Sequence, residues 1–329
     1  MRVTISSQYS GFNRNINDLQ EKINIENRKI TTGKKIQELS DAPEDVVDIK
    51  RFAAKIIQNE KYLDVLGETV IELQAVDETL FNITELMNQA RQKAIDASNS
   101  DANAVIMISE YIKGYLEDIV KIANSDNGGK FLYSGTVTTS NQITPIDPSS
   151  QRLPYEIVKE EGTAENPSGL RVVFHGNNED RIINKSSSDD EVISQKSSDI
   201  FGENGEVFNS LIELINSLSY TTDGELRNAD SKFTIQDMAN INKTQQDLAN
   251  QSKNIDMFTS RSGAVLNRLE DYKFNLTNEN VRMKTYRSYK EDTDVAESVL
   301  NLKREETALQ YALQVGARIN TVSLFDFLR

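Results

Sequence analysis

The chain has 329 residues, 37 Lys and Arg against 51 Asp and Glu, a net charge of −14, no cysteine and no tryptophan. That balance argues against nucleic acid as a general partner, and the missing thiols exclude disulfides, cysteine metal sites and thiol nucleophiles. Low apolar (37%) and aromatic (7%) fractions suit thin helical bundles better than a thick globular core.

In chain order, residues 1–35 carry Phe12, Ile16, Leu19, Ile23 and Ile30 at helical spacing, and hold seven Lys/Arg against three acids. Thr32-Gly33 closes that helix, glycine fitting the αL position just past a helix end. Ser40-Asp41-Ala42-Pro43-Glu44 restarts the chain, with Asp41 as an N-cap candidate and Pro43 in the first turn. A long helix then runs to about Ser98. Ser100-Asp101 caps a shorter one through Ile112, Leu116 and Ile122, which Asn124–Gly129 ends with turn residues. Four of the five prolines fall between Pro145 and Pro167, and short β-rich runs appear at Lys130–Tyr133, Tyr155–Val158, Leu170–Phe174 and Arg181–Ile183. Residues 136–201 therefore read as a small β-rich insertion, within which Asp189-Asp190-Glu191 is expected in a solvated loop and Ser186–Ser198 as a stretch open to shortening. Helices return at Val207–Leu218, at Ile235–Tyr289, and in a final amphipathic segment with Leu302, Leu309, Leu313 and Ile319.

The long helices carry the strongest pattern. Ile241, Leu248, Ile255, Ser262, Leu269 and Leu276 step by seven, and so do Leu66, Leu73, Leu80 and Met87 upstream. A seven-residue apolar repeat makes a stripe that needs a partner helix. Two matched stripes far apart in sequence predict an antiparallel helical hairpin. At ~1.5 Å per residue, the second helix would be on the order of 80 Å long. The fold class is mainly α: a long antiparallel helical-bundle rod with paired terminal coiled-coil helices and a small β-rich insertion. The predicted domains are 1–44 with 286–329, 45–135 with 202–285, and 136–201.

Chemistry-bearing motifs are scarce. His175 is the only histidine, so a His-Glu-x-x-His zinc site is excluded, and it reads as structural. Gly128-Gly129-Lys130 lacks the earlier glycine and following Ser/Thr of a phosphate loop. Nothing assembles a nucleophile, a base and an oxyanion site, so no enzyme activity and no cofactor are expected. No apolar run reaches the ~18 residues that span a membrane, and membrane insertion is not expected. The start of the chain has no apolar h-region of a signal peptide.

Thr31-Thr32-Gly33-Lys34-Lys35-Ile36, Ser40-Asp41-Ala42-Pro43-Glu44-Asp45, Asp294-Val295-Ala296-Glu297-Ser298 and Leu309-Gln310 to Ala317-Arg318-Ile319-Asn320 resemble the terminal motifs of the bacterial flagellin family. The resemblance covers roughly 1–135 and 230–329. Within the family, Asn127-Gly128-Gly129-Lys130-Phe131-Leu132-Tyr133-Ser134-Gly135, the start Met1-Arg2-Val3-Thr4 and the finish Ser323-Leu324-Phe325-Asp326-Phe327-Leu328-Arg329 are similar to members at the hook–filament junction. The resemblance implies a structural axial protein exported by the flagellar type III route without a cleaved signal. It would lie outside the cell between hook-associated protein 1 and flagellin, self-assembling through its terminal helices after handling by an export chaperone. Ile16, Leu19, Ile23, Leu302, Leu309, Leu313 and Ile319 would form the assembly interface. Leu66, Leu73, Leu80, Met87, Ile241, Leu248, Ile255, Leu269 and Leu276 would form the rod core seam. The alternatives are a flagellin filament subunit and, from another class, a secreted rod-like adhesin or effector.

Overall fold

The computed structural model describes residues 5–327 apart from 37, 39, 147–150, 194 and 229, with side chains described between 9 and 317. Over those residues the fold is a mainly helical long bundle with a small β-rich insertion. The chain divides into two compact units, Met1–Glu60 with Thr277–Arg329, and Lys61–Leu276.

In the first unit, α1 (Ile5–Thr32) and α7 (Val295–Phe327) pack together, beside the opening turns of α2 (Pro43–Ser98) and the closing turns of α6 (Ile235–Glu291). The end of α1 is sealed locally. The Thr31 and Thr32 hydroxyls donate to the carbonyls of Asn27 and Arg28 at 2.8 and 2.7 Å. Gly33 takes φ +71, which a Cβ would oppose. Its N–H donates to the Lys29 carbonyl at 2.8 Å. The two connections then run side by side: Lys35 N–H donates to Glu291 O at 2.8 Å, and Thr293 N–H to Gly33 O at 2.9 Å. α2 begins at Pro43, while the Asp41 carboxylate accepts the Glu38 N–H at 2.9 Å and closes the turn before it. Opposite α2, Lys290 pairs with Asp45 and Asp48, Lys284 meets Glu60 at 2.9 Å, and the rings of Phe52 and Tyr286 lie 6.2 Å apart.

The second unit holds the larger core. Asp101 caps α3 (Ala102–Ala123) by accepting the Ala104 N–H at 2.8 Å. Leu80, Ile83 and Met87 of α2 pack with Ile112 and Leu116 of α3, with Leu211 and Leu214 of α5 (Glu206–Ser219), and with Ile241, Leu248 and Ile255 of α6. A second cluster joins Leu66, Val70 and Leu73 to Leu269, Leu276 and Ile193. Early positions of α2 thus meet late positions of α6, which makes the two antiparallel. α3 and α5 complete a layer that the two heptad stripes leave open.

Among the described residues the strands pair as three separate antiparallel hairpins: β1 (Asp126–Asn127) with β2 (Lys130–Phe131) just before the insertion, and within it β3 (Tyr155–Lys159) with β4 (Leu170–Phe174) and β5 (Ile182–Asn184) with β6 (Asp190–Val192). A lone two-stranded hairpin is marginal in water, and these lean on helices. Tyr155 packs against Phe174, edge-on against Phe201 of α4 (Ser197–Phe201) and against Phe208 of α5, ring centroids 5.0 to 5.5 Å apart.

Two sequence expectations need correction. The strand expected at Lys130–Tyr133 stops at Phe131, because Leu132 and Tyr133 turn into the core, where the Tyr133 hydroxyl donates to the Val76 carbonyl at 3.3 Å. The expected acidic loop is strand β6, so Ser186–Ser198, whose residue 194 lies outside the described residues, is not a free loop. Glu191 sits opposite Ile183 on the inner face of the hairpin, which a carboxylate tolerates only with partners. Lys185 at 2.7 Å and Arg268 supply them.

Candidate assembly interface

Asp294 starts α7, its carboxylate accepting the N–H groups of Ala296 and Glu297 at 2.9 and 3.2 Å. The helix packs antiparallel on α1, since Thr293 lies beside Gly33 while Gly316 lies beside Phe12. Glycine at 316 is what lets the helices close there: a Cβ would lie 2.3 Å from the Phe12 ring. Of the predicted interface residues, Ile16, Leu19, Ile23, Leu302 and Leu309 are half-buried, and Leu313 is 53% exposed. Ile319 falls where side chains are not described.

The apolar surface of α7 exceeds what α1 covers. At about 100° per residue, Leu302, Leu309 and Gly316 share one face, towards α1. Val295 and Leu313 lie along one edge of that face, with Val299 about 60° round from Leu302, whereas Leu300, Tyr311 and Val315 lie on the opposite side of the helix. These six residues are between 47% and 68% exposed. The second strip was not singled out from spacing, because its members do not repeat by seven.

The nine seam residues Leu66, Leu73, Leu80, Met87, Ile241, Leu248, Ile255, Leu269 and Leu276 are all buried. Spacing missed Asn59, one heptad before Leu66, because it is polar. It is fully buried, with neither amide atom partnered, and Asn280 Oδ1 is likewise buried without a partner.

Charges brace the first unit. The Lys290 hydrogen bond holds Asp48 below the usual carboxylate range, and Asp45 and Asp48 push Lys290 up. Burial raises Glu291, but hydrogen bonds from Lys34 and Arg287 outweigh it and leave this carboxyl lowered.

Among the described residues no group of three or more His, Asp or Glu is placed to hold a metal, and no helix is long and apolar enough to cross a membrane. His175 Nε2 faces Glu156 at 3.3 Å across β3 and β4. A cleft of about 550 Å³ in the second unit runs between β6 and α6, lined by Asp190, Arg261 and Arg268 among others.

Residues 246–328 match the family model described as the bacterial flagellin C-terminal helical region. No curated protein matches the sequence. Among solved structures, a Vibrio parahaemolyticus protein described as a flagellar hook-associated protein aligns with TM-score 0.59 at 16% identity, over 76% of this chain and 99% of its own. FlgL of Xanthomonas campestris gives 0.53 at 14%, over 73% and 99%. The flagellar junction protein FlgL of Legionella pneumophila gives 0.52 at 11%, over 74% and 99%. This chain has the flagellar hook-associated fold. The segment Asn127–Gly135 anchors the insertion through the buried Leu132 and Tyr133.

Proposed function

We propose that this chain is a structural axial component of the bacterial flagellum, joining hook-associated protein 1 to the flagellin filament by self-assembly of its terminal helices. One observation carries the reading: α7 leaves apolar residues exposed along one edge of the face that meets α1 and on the opposite side of the helix. Such a helix leaves apolar strips that a single partner helix cannot bury. Copies of the same chain, packed side by side, would cover both strips.

In this reading 1–44 with 286–329 form the innermost layer, 45–135 with 202–285 the middle layer and 136–201 the outer surface. Ile16, Leu19, Ile23, Leu302, Leu309, Leu313 and Ile319 meet neighbouring copies, while the nine seam residues hold the middle layer together. A flagellar export chaperone would guard the terminal helices before assembly. The fold shared with a junction protein supports a place between hook and filament rather than along the filament.

Electron microscopy of cells lacking this gene tests the proposal. Intact hooks without filaments, with flagellin lost to the medium, support it. Filaments of normal length and number overturn it. Loss of the main filament protein from both the sheared flagella and the medium would make the chain a filament subunit instead.

A further inference from the structure

Charge is divided sharply between the two units. The first unit, which contains α1 and α7, holds 18 Lys and Arg against 17 Asp and Glu, and the second holds 19 against 34. The unit offering uncovered apolar strips is therefore almost neutral, and the other carries the whole negative charge of the chain. α2 and α6 each run through both units, so no copy brings its α7 to another without bringing its acidic unit too.

We infer that self-association through α1 and α7 is gated by electrostatic repulsion between the acidic units of neighbouring copies. The inference rests on the assembly reading above and adds its control. At low ionic strength the screening length is ~30 Å, and like-charged bodies of this size repel before the helices meet. At ~0.1 M salt it falls to ~10 Å, and the short-range burial of the α7 strips prevails. Acidic residues of the second unit then act as a threshold: they keep the free chain dispersed and set the salt at which copies assemble. No specific ion is required, since screening depends on ionic strength alone.

The test uses the full chain at fixed concentration, with light scattering across NaCl from about 10 mM to about 300 mM. Asp64→Asn, Glu68→Gln, Glu78→Gln, Glu117→Gln, Glu161→Gln and Glu165→Gln, combined in one variant, neutralise exposed carboxylates of the second unit. A second variant combines Lys61→Gln, Lys159→Gln, Lys232→Gln and Lys253→Gln, also exposed and in the same unit. Association of the wild type should rise with NaCl, and KCl should give the same curve. The first variant should reach half-association at a salt concentration lower by about twofold or more, and the second at a higher one. Association that is indifferent to salt, or that is identical in all three proteins, overturns the gate while leaving the assembly reading in place. Absence of association in every protein at every salt concentration overturns both.

Discussion

The ring of Phe12 lies end-on against Gly316, so closely that a Cβ at 316 would sit 2.3 Å from Cζ and 2.8 Å from Cε2. Gly316→Ala should favour an isolated helix by about 1 kcal/mol through propensity. It should nevertheless open the α1–α7 pair, because the Phe12 ring must leave its place. We expect faster amide exchange in both helices and self-association weaker by about tenfold, or ~1.4 kcal/mol. Phe12→Leu in the same chain should restore most of it. Unchanged exchange in Gly316→Ala would show that the ring moves without cost.

Burial separates residues that hold the monomer from residues that face outward. Leu269 is fully buried, so Leu269→Ala should cost about 2–5 kcal/mol in urea unfolding. Leu313 is 53% exposed, and Leu313→Ser should change monomer stability by no more than about 0.5 kcal/mol. Its effect should fall on self-association instead. A Leu313→Ser monomer as unstable as Leu269→Ala would mean that α7 holds the monomer together rather than waiting for a neighbour.

The long helices were legible because nothing in them competes with the helical pattern. α2 ends at Ser98, where turn and cap residues follow, and α6 spans 57 residues without proline. Other features depend on partners far away in sequence. β6 is an acidic stretch in isolation and becomes a strand because Lys185 and Arg268 neutralise Glu191. The joining of α3 and α5 to the α2–α6 seam follows from Tyr133, Tyr155 and Phe208 drawing the insertion inward, which no local spacing reveals. For the interface, spacing gave the apolar positions of α1 and α7. Which side of α7 stays open depends on where α1 lies.

Asn59 interrupts the heptad series that Leu66, Leu73 and Leu80 continue, and both its amide atoms are buried without partners. An unmatched buried amide costs about 1–3 kcal/mol. Asn59→Leu should therefore raise the urea midpoint, with a gain of about 1 kcal/mol once imperfect packing is allowed for. The m-value should not change, since the surface exposed on unfolding is nearly the same. A destabilised Asn59→Leu protein would show that the amide holds a hydrogen bond in solution.

Acid should loosen the first unit at the paired connections between α1, α2, α6 and α7. Glu291 and Asp48 are both held below their ordinary values of 4.5 and 3.8. For Glu291, burial pushes the other way and is outweighed by Lys34 and Arg287; for Asp48, the Lys290 hydrogen bond is the main cause. A lowered carboxyl binds fewer protons folded than unfolded, so its stabilising contribution is complete above the unfolded value and is lost as pH falls through the folded one. Lys290 is raised above 10.5, so its own contribution persists through neutral pH and fades only in strong alkali. The first unit should therefore be insensitive to pH from neutrality down to about 5 and loosen below about 4. Intrinsic-rate-corrected amide exchange at Gly33–Ile36 and Ser288–Asp294 is the direct measurement. Glu291→Gln cannot titrate, and should exchange faster at neutral pH with a flatter acid dependence. An acid slope in Glu291→Gln equal to that of the wild type would place the sensitive group elsewhere.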